Sequence, residues 1–410
     1  MSGAATPVAS GQRLESLDVI RGFALLGILA MNIQSFAMVG PAYLNPSTWG
    51  DLTGINLALM AAARVLADLK FMGLFSLLFG AGLVLFAERA EAAGRRPGPL
   101  HYRRMFWLWL VGMLHGYLLW SGDILVTYAV AGSAAYLLRR RSLRTLWILG
   151  VIFLLLPTIT YALTGLYGVA GMPADSKAGM LMFWNPGPEA MAEEVKAFQG
   201  GWLDQMPHRF THTVNMQLVV FWLITGWRAL GLMTLGMALF RSGVLSGRRS
   251  RTFYGRLALI GFGVGLPLVA WGLWRDVATG WTLAGSMFLG HLWNFWGSLG
   301  VMAGYVGVLM LLVDRGAWSP VRHGLSAVGR MAFSNYLGQT VICTTVFYGH
   351  GLGLFGTVER WQQALVVLGV WALQLLVSPW WLARYRFGPM EWVWRSLTYW
   401  QRQPFSRDES

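Results

Sequence analysis

The chain has 410 residues, of which 55% are hydrophobic and only 12% charged. Charged residues make up about a quarter of an ordinary soluble domain. Half that share cannot clothe one or two water-soluble domains, so a soluble enzyme, a disordered chain and a disulfide-stapled scaffold are all excluded. The net charge of +14 would suggest nucleic acid in a soluble protein, but here the basic residues form short clusters between apolar runs. Membrane topology is the simpler cause, and nucleic acid is not an expected partner.

The 51 glycines and 22 tryptophans suit closely packed membrane helices and interfacial aromatic belts. The single cysteine, Cys343, makes no internal disulfide. The expected fold is all-α, a polytopic transmembrane bundle. A spanning helix needs roughly 20 mostly apolar residues. Such runs occur near 18–38, 70–88, 104–121, 124–138, 145–166, 215–240, 256–274, 284–312, 327–348 and 362–383, about ten spans. The first run follows a polar N-terminus without a small-residue cleavage site and reads as a retained helix.

Orientation follows from arginine. Clusters such as Arg89–Arg104, Arg139–Arg144 and Arg241–Arg256 alternate with loops holding only Lys177, Lys196, Arg209, Arg275 and Arg360. The richer set is expected in the cytoplasm, with both termini, in a multi-pass protein of the bacterial inner membrane. Parity then makes 54–69 an interfacial or re-entrant helix on the outer side, with Arg64 and Asp68 off its apolar face. Residues 167–214 form the long extramembrane stretch, with a short helical pattern in PEAMAEEVKAFQ. This divides the chain into an N-terminal bundle (1–166), an outer loop or cap (167–214) and a C-terminal membrane domain (215–410).

Ionisable groups in hydrocarbon usually face a protein interior or a cavity, so they point to function. Asp18 and Arg21 share a helix face and can pair near the inner membrane edge, with Asn32 three turns on. They anchor the helix or shape a polar cavity. Asp68 and Lys70 stand at the mouth of the next span, as interfacial anchors or a charged entrance.

The strongest constellation is His115, Asp123 and Tyr128 in HGYLLWSGDILVTYA. A carboxylate beside a histidine fixes its tautomer and stabilises the imidazolium, which prepares a general base. Eight residues place the two about 80° apart on an ideal helix, so contact requires a kink at Gly116 or Gly122. The bland alternative is an interhelical hydrogen bond for His115 and a turn cap for Asp123.

Asp204, His208 and His212 have helical ligand spacing, but Pro207 starts a helix that leaves Asp204 behind, so no metal is expected. His291, Asn335, Tyr336, Gln339 and His350 supply further polar groups, as bundle glue or cavity lining. There is no phosphate-binding loop, dinucleotide fingerprint or nucleophile elbow.

The segments RLESLDVIRGFALLGILAMNI, KFMGLFSLLFGAGL, HGYLLWSGDILVTYA, GRMAFSNYLGQTVICTTVFYGHGLGLFG and FGPMEWVWRSLTYW resemble the YeiB-like bacterial membrane proteins. These carry a C-terminal domain of unknown function, number four-eighteen. The resemblance runs over most of the chain, with little in 167–214. Helix 1 also resembles the heparan-alpha-glucosaminide N-acetyltransferase relatives among transmembrane acyltransferases. They share an SLDxxRG start and a following asparagine, matched by Ser16, Leu17, Asp18, Arg21, Gly22 and Asn32.

That second resemblance implies transfer of an acetyl group from cytoplasmic acetyl-CoA to an acceptor on the far side, using a histidine in the loop after helix 1. Here that loop reads MVGPAYLNPSTWGDLTG, and no histidine precedes His101. His115 with Asp123 is the nearest substitute, and Arg139 and Arg140 suit the phosphates of an acyl-CoA co-substrate. No bound cofactor is expected. Partners are membrane lipids, a small-molecule, glycan or lipid acceptor, and in an oligomer a second copy. The competing expectation is a transporter or flippase of a small metabolite or lipid-linked molecule.

Overall fold

A computed structural model describes residues 15–314 and 319–407. Among these residues every element is helical, and the only β pairing is an isolated bridge between Tyr385 and Ser406. In chain order the helices are α1 (Glu15–Ala37), α2 (Gly54–Ala62), α3 (Lys70–Ala92), α4 (Pro97–Leu118), α5 (Leu125–Leu138) and α6 (Leu143–Leu163). The segment 167–214 holds α7 (Val169–Gly171), α8 (Ala174–Trp184), α9 (Pro188–Gln199) and α10 (Met206–Asn215). Then follow α11 (Gly226–Arg241), α12 (Arg251–Ala278), α13 (His291–Asp314), α14 (Ser319–Arg330), α15 (Ala332–Phe347), α16 (Arg360–Arg384) and α17 (Pro389–Tyr399).

Local chemistry sets many of these boundaries. Ser142 and Ser250 accept from Thr145 N and Phe253 N at the starts of α6 and α12. Glu359 and Gln362 form a reciprocal capping box at α16. Proline opens α4, α9 and α17, where its missing N–H costs nothing.

Among the described residues seven helical runs are long and apolar enough to cross a membrane: Glu15–Ala37, Gly54–Ala92, Leu143–Gly171, Met206–Arg241, Arg251–Ala278, Leu283–Val313 and Arg360–Arg384. The remaining three expected spans are also helical. However, α5 is 14 residues long, α4 carries Arg103 and Arg104 in its second turn, and 327–348 is divided at Met331 between α14 and α15.

Helix α1 is central. Of its apolar window 72% is buried, against 22% for α12 and 28% for α16, which therefore line the periphery. Close approach is bought with glycine. A methyl group on Gly22 would collide with the Leu325 carbonyl, and one on Gly329 with the Asp18 carbonyl, so α1 and α14 pack backbone to backbone.

The bundle has two different ends. At the arginine-rich end α17 lies across the structure. Its Glu391 carboxylate accepts from Phe333 N at 2.6 Å and Ser334 N at 3.2 Å, capping α15, and Trp394 packs against the Arg104 guanidinium at 4.7 Å. At the other end the loops after α1 and α15 and helices α8–α10 close a lid. Gly40 N donates to Glu194, Gln199 to Phe355 O, Gly349 N to Phe198 O, and Trp184 to Trp281 O.

The helix expected on its own at 54–69 is continuous with the next span. Helix α2 runs through a π-helical turn (Ala63–Ala67), and the chain then bends at Leu69, whose φ is 64°. Arg64 and Asp68, expected off the apolar face, are buried at 8% and 3% exposure. Lys70, expected at an entrance or as an interfacial anchor, is fully buried. The bend turns these side chains inward, where each finds a polar partner.

Candidate functional site

The end of α4 builds the first site. His115 lies in the last turn of this helix rather than deep within it, because α4 stops at Leu118. Leu119 N and Trp120 N both return to the His115 carbonyl, and the chain reverses through Gly122 into α5. The two side chains therefore never share a helix face, and the 80° separation of an ideal helix does not apply. The reversal brings Asp123 Oδ1 to 2.8 Å from His115 Nδ1.

The other imidazole nitrogen, Nε2, lies 2.9 Å from Thr340 Oγ1 on α15. A carboxylate only accepts, so Nδ1 donates to Asp123, and in the neutral imidazole Nε2 accepts from the threonine hydroxyl. Asp123 Oδ2 accepts from Val126 N at 2.9 Å, which ties the pair to the start of α5. The His115 and Asp123 side chains are 1% and 3% exposed. Tyr336 lies 5.3 Å from the imidazole, ring to ring, and Trp120 6.2 Å. Trp120 in turn stacks on Phe36 of α1. The lid secures the turn: Arg209 and Trp202 donate to the Leu118 carbonyl, and Thr213 to that of Gly116.

A second polar cluster lies where the helices are interrupted. Lys70 Nζ donates to Arg64 O at 2.8 Å and Asn294 Oδ1 at 2.5 Å. Asn294 passes the link to Asp68 Oδ2 at 2.7 Å, which also accepts from Arg64 at 3.1 Å. Arg228 donates to Ser298 Oγ at 2.8 Å and to Phe295 O. His291 stacks on Tyr161 at 4.8 Å. Three π-helical stretches, Ala63–Ala67, Met216–Thr225 and Leu283–Gly290, end within three residues of Asp68, Arg228 and His291. Such bulges often accompany functional sites.

The other sequence candidates serve elsewhere. Arg21 pairs with Asp18 at 2.7 Å near the start of α1. Phe36, which touches the His115 site through Trp120, lies fifteen residues on, about 22 Å along the axis. Arg21 and His115 thus belong to opposite ends. Asn32 is half-buried on α1. Tyr128 turns away from His115 to bond Met72 O and Ser76 on α3.

Asn335 and Gln339 form an interhelical ladder with Ser378 and Gln374 of α16, while Tyr336, between them, faces His115. His350 is exposed in the loop after α15, beside Gln205. Arg139 stacks on Tyr136, and Arg140 makes an exposed ion pair with Glu91. Asp204 caps the turn at Gly201 N, and among the described residues no three His, Cys, Asp or Glu side chains gather around a metal-sized space. Two residues escaped notice in the sequence. Thr340 carries no local signal. Arg228 does: it is a lone arginine inside an apolar run.

These features define an integral, all-helical membrane protein with two buried polar centres. The chain belongs to the DUF418 family. Residues 239–401 match the family described as protein of unknown function (DUF418). The uncharacterized protein YeiB of Escherichia coli (strain K12) is 34% identical over 398 residues, covering 94% of this chain and 96% of its own. The uncharacterized protein YxaH of Bacillus subtilis (strain 168) is 32% identical over 426 residues, covering 98% of each.

Proposed function

We propose that this protein is a membrane-embedded acyltransferase-like enzyme of the bacterial inner membrane. It spans the bilayer about ten times with both termini cytoplasmic, as an N-terminal bundle, an outer cap over 167–214 and a C-terminal domain. Cytoplasmic acyl-CoA supplies the acyl group, and an acceptor hydroxyl or amine reaches it from the outer side. The single observation that carries this reading is the His115 imidazole, held at Nδ1 by Asp123 and facing a hydroxyl through Nε2.

Thr340 Oγ1 occupies the place an acceptor hydroxyl would take. With the acceptor there, Nε2 removes its proton as the acceptor oxygen or nitrogen attacks the thioester carbonyl. The C–S bond breaks, and the imidazolium, steadied by Asp123, returns the proton to the CoA thiolate. The test is purified protein with labelled acetyl-CoA, scored for donor binding and CoA release. A general base contributes a rate factor of about 10² to 10⁴, so His115→Ala should lose that factor and keep its fold. Absence of donor binding by the wild type at millimolar acetyl-CoA overturns the proposal. Arg139→Ala and Arg140→Ala should weaken donor binding more than turnover at saturation.

Transport of a small metabolite or lipid-linked molecule is the second reading. It is favoured by the buried charges at the helix interruptions, the arrangement that transporters use to bind cargo.

A further inference from the structure

The second cluster holds more positive than negative charge. Arg64, Lys70 and Arg228 are 8%, 0% and 7% exposed, and the carboxylates among them are Asp68 at 3% and Asp276 at 4%. Asp276 lies within Coulomb reach of Arg64. Three cations face two acids. Arg228 lies within Coulomb reach of Asp68 but shares that one carboxylate with Arg64 and Lys70. Its hydrogen-bond partners are a backbone carbonyl and a serine hydroxyl, and its guanidinium lies 4.3 Å from the Phe295 ring centre. None of these is charged. Lys70 is also met only by neutral oxygens, those of Arg64 and Asn294. A buried charge that only shares its opposite charge is incompletely compensated, and an entering anion supplies the compensation.

The backbone supports a ligand site independently. Leu69, with φ 64°, sits between Asp68 and Lys70 and allows both side chains into the same cluster. A left-handed leucine crowds its Cβ against the backbone, and strain of this kind collects at binding sites. The π-helical stretches before Asp68, Arg228 and His291 likewise release peptide groups from the regular ladder at this level.

We infer that this cluster binds a small anion, a carboxylate or a phosphate, between Arg228 and Lys70. The guanidinium supplies a planar fork and the ammonium a point charge. One negative charge brings the five buried groups to neutrality. The site shares no hydrogen-bonding residue with His115, Asp123 and Thr340, so it stands independently of acyl transfer. In the transport reading it is where the cargo binds.

The test uses full-length protein in phosphatidylcholine nanodiscs, titrated with radiolabelled acetate and inorganic phosphate by equilibrium dialysis. Native mass spectrometry of the same sample detects a retained anionic phospholipid, which separates a headgroup from a free anion. Saturable binding of one equivalent is expected, weakened at least about tenfold in Arg228→Gln, which loses both the charge and the planar fork. Arg248→Gln, at the exposed opposite end, should match wild type. Arg228→Lys, which keeps the charge but loses the fork, should bind with intermediate affinity and remains informative if Arg228→Gln does not fold. The inference is overturned if neither probe binds at 10 mM and no anionic phospholipid is retained (about the weakest affinity worth calling a site). It is equally overturned if folded Arg228→Gln or Arg228→Lys binds as wild type does.

Discussion

His115 and Asp123 meet at 2.8 Å across the reversal between α4 and α5, and the same carboxylate caps the start of α5 through Val126 N. One side chain thus orients an imidazole and fixes a helix. Asp123→Asn keeps an acceptor for Val126 N but presents a neutral group to Nδ1. Acyl transfer should fall by about 10²-fold or more, while stability drops by only about 1–3 kcal/mol. Measuring CoA release beside thermal unfolding separates the two effects. Equal activity in the asparagine variant would show that Asp123 only caps the turn.

Topology can be read with reporter fusions. A fusion at residue 190, within α9, should report the outer side, and one at residue 410 the cytoplasm. The reason is the arginine asymmetry between the two ends. A cytoplasmic signal at residue 190 would reverse the orientation.

The α1–α14 contact leaves no room for a side chain at Gly22, where an added methyl lands on the Leu325 carbonyl. Gly22→Ala should destabilise the protein by about 1–3 kcal/mol, the usual cost of overpacking, and Gly22→Val by more. Gly82, on α3, has open space around the same hypothetical methyl. Gly82→Ala should therefore be neutral or slightly stabilising, and detergent-solubilised melting curves would rank the three variants.

The outer lid should be sensitive to pH through Glu194. Burial pushes this carboxyl up to about 7, against the opposing hydrogen bond from Gly40 N. The His212 imidazole lies against Gly40 beside the same carboxylate. A carboxyl whose folded pKa is raised binds a proton more tightly in the folded state. Its contribution is therefore fully present below the unfolded value of 4.5 and is lost as pH rises to about 7. Hydrogen exchange at the Gly40 amide should accelerate between pH 5 and 8 beyond the intrinsic base-catalysed trend. Glu194→Gln should abolish that excess, and its persistence in the variant would move the cause to His212.

The apolar runs are one-dimensional signals, and helix follows each of them, although 327–348 is divided at Met331 and only seven runs are long and apolar enough to cross a membrane among the described residues. The PEAMAEEVKAFQ pattern likewise becomes α9, between Pro188 and Gln199. The polar residues were harder to place. His115 and Asp123 stand out as a pair, and a break before Asp123 is legible in the run ends at 121 and 124, but the ideal-helix angle does not apply because α4 already stops at Leu118. Asp68 and Lys70 looked interfacial for a similar reason: a left-handed leucine between them is invisible in sequence. Arg228 could have been found, since an arginine within an apolar run is expensive unless it faces a protein interior.

By itself the sequence determined the class of protein, the stretches that become helices and the contrast between an arginine-rich end and a poor one. Those properties depend on local composition and on the cost of placing charge in hydrocarbon, which each segment settles without its neighbours. Only the tertiary structure decided that Thr340 faces His115, that Arg21 and His115 occupy opposite ends, and that Lys70, Asp68 and Arg228 gather in one cluster. Each depends on where a helix breaks and which face it turns to helices far away in the chain. Packing between neighbours sets those choices.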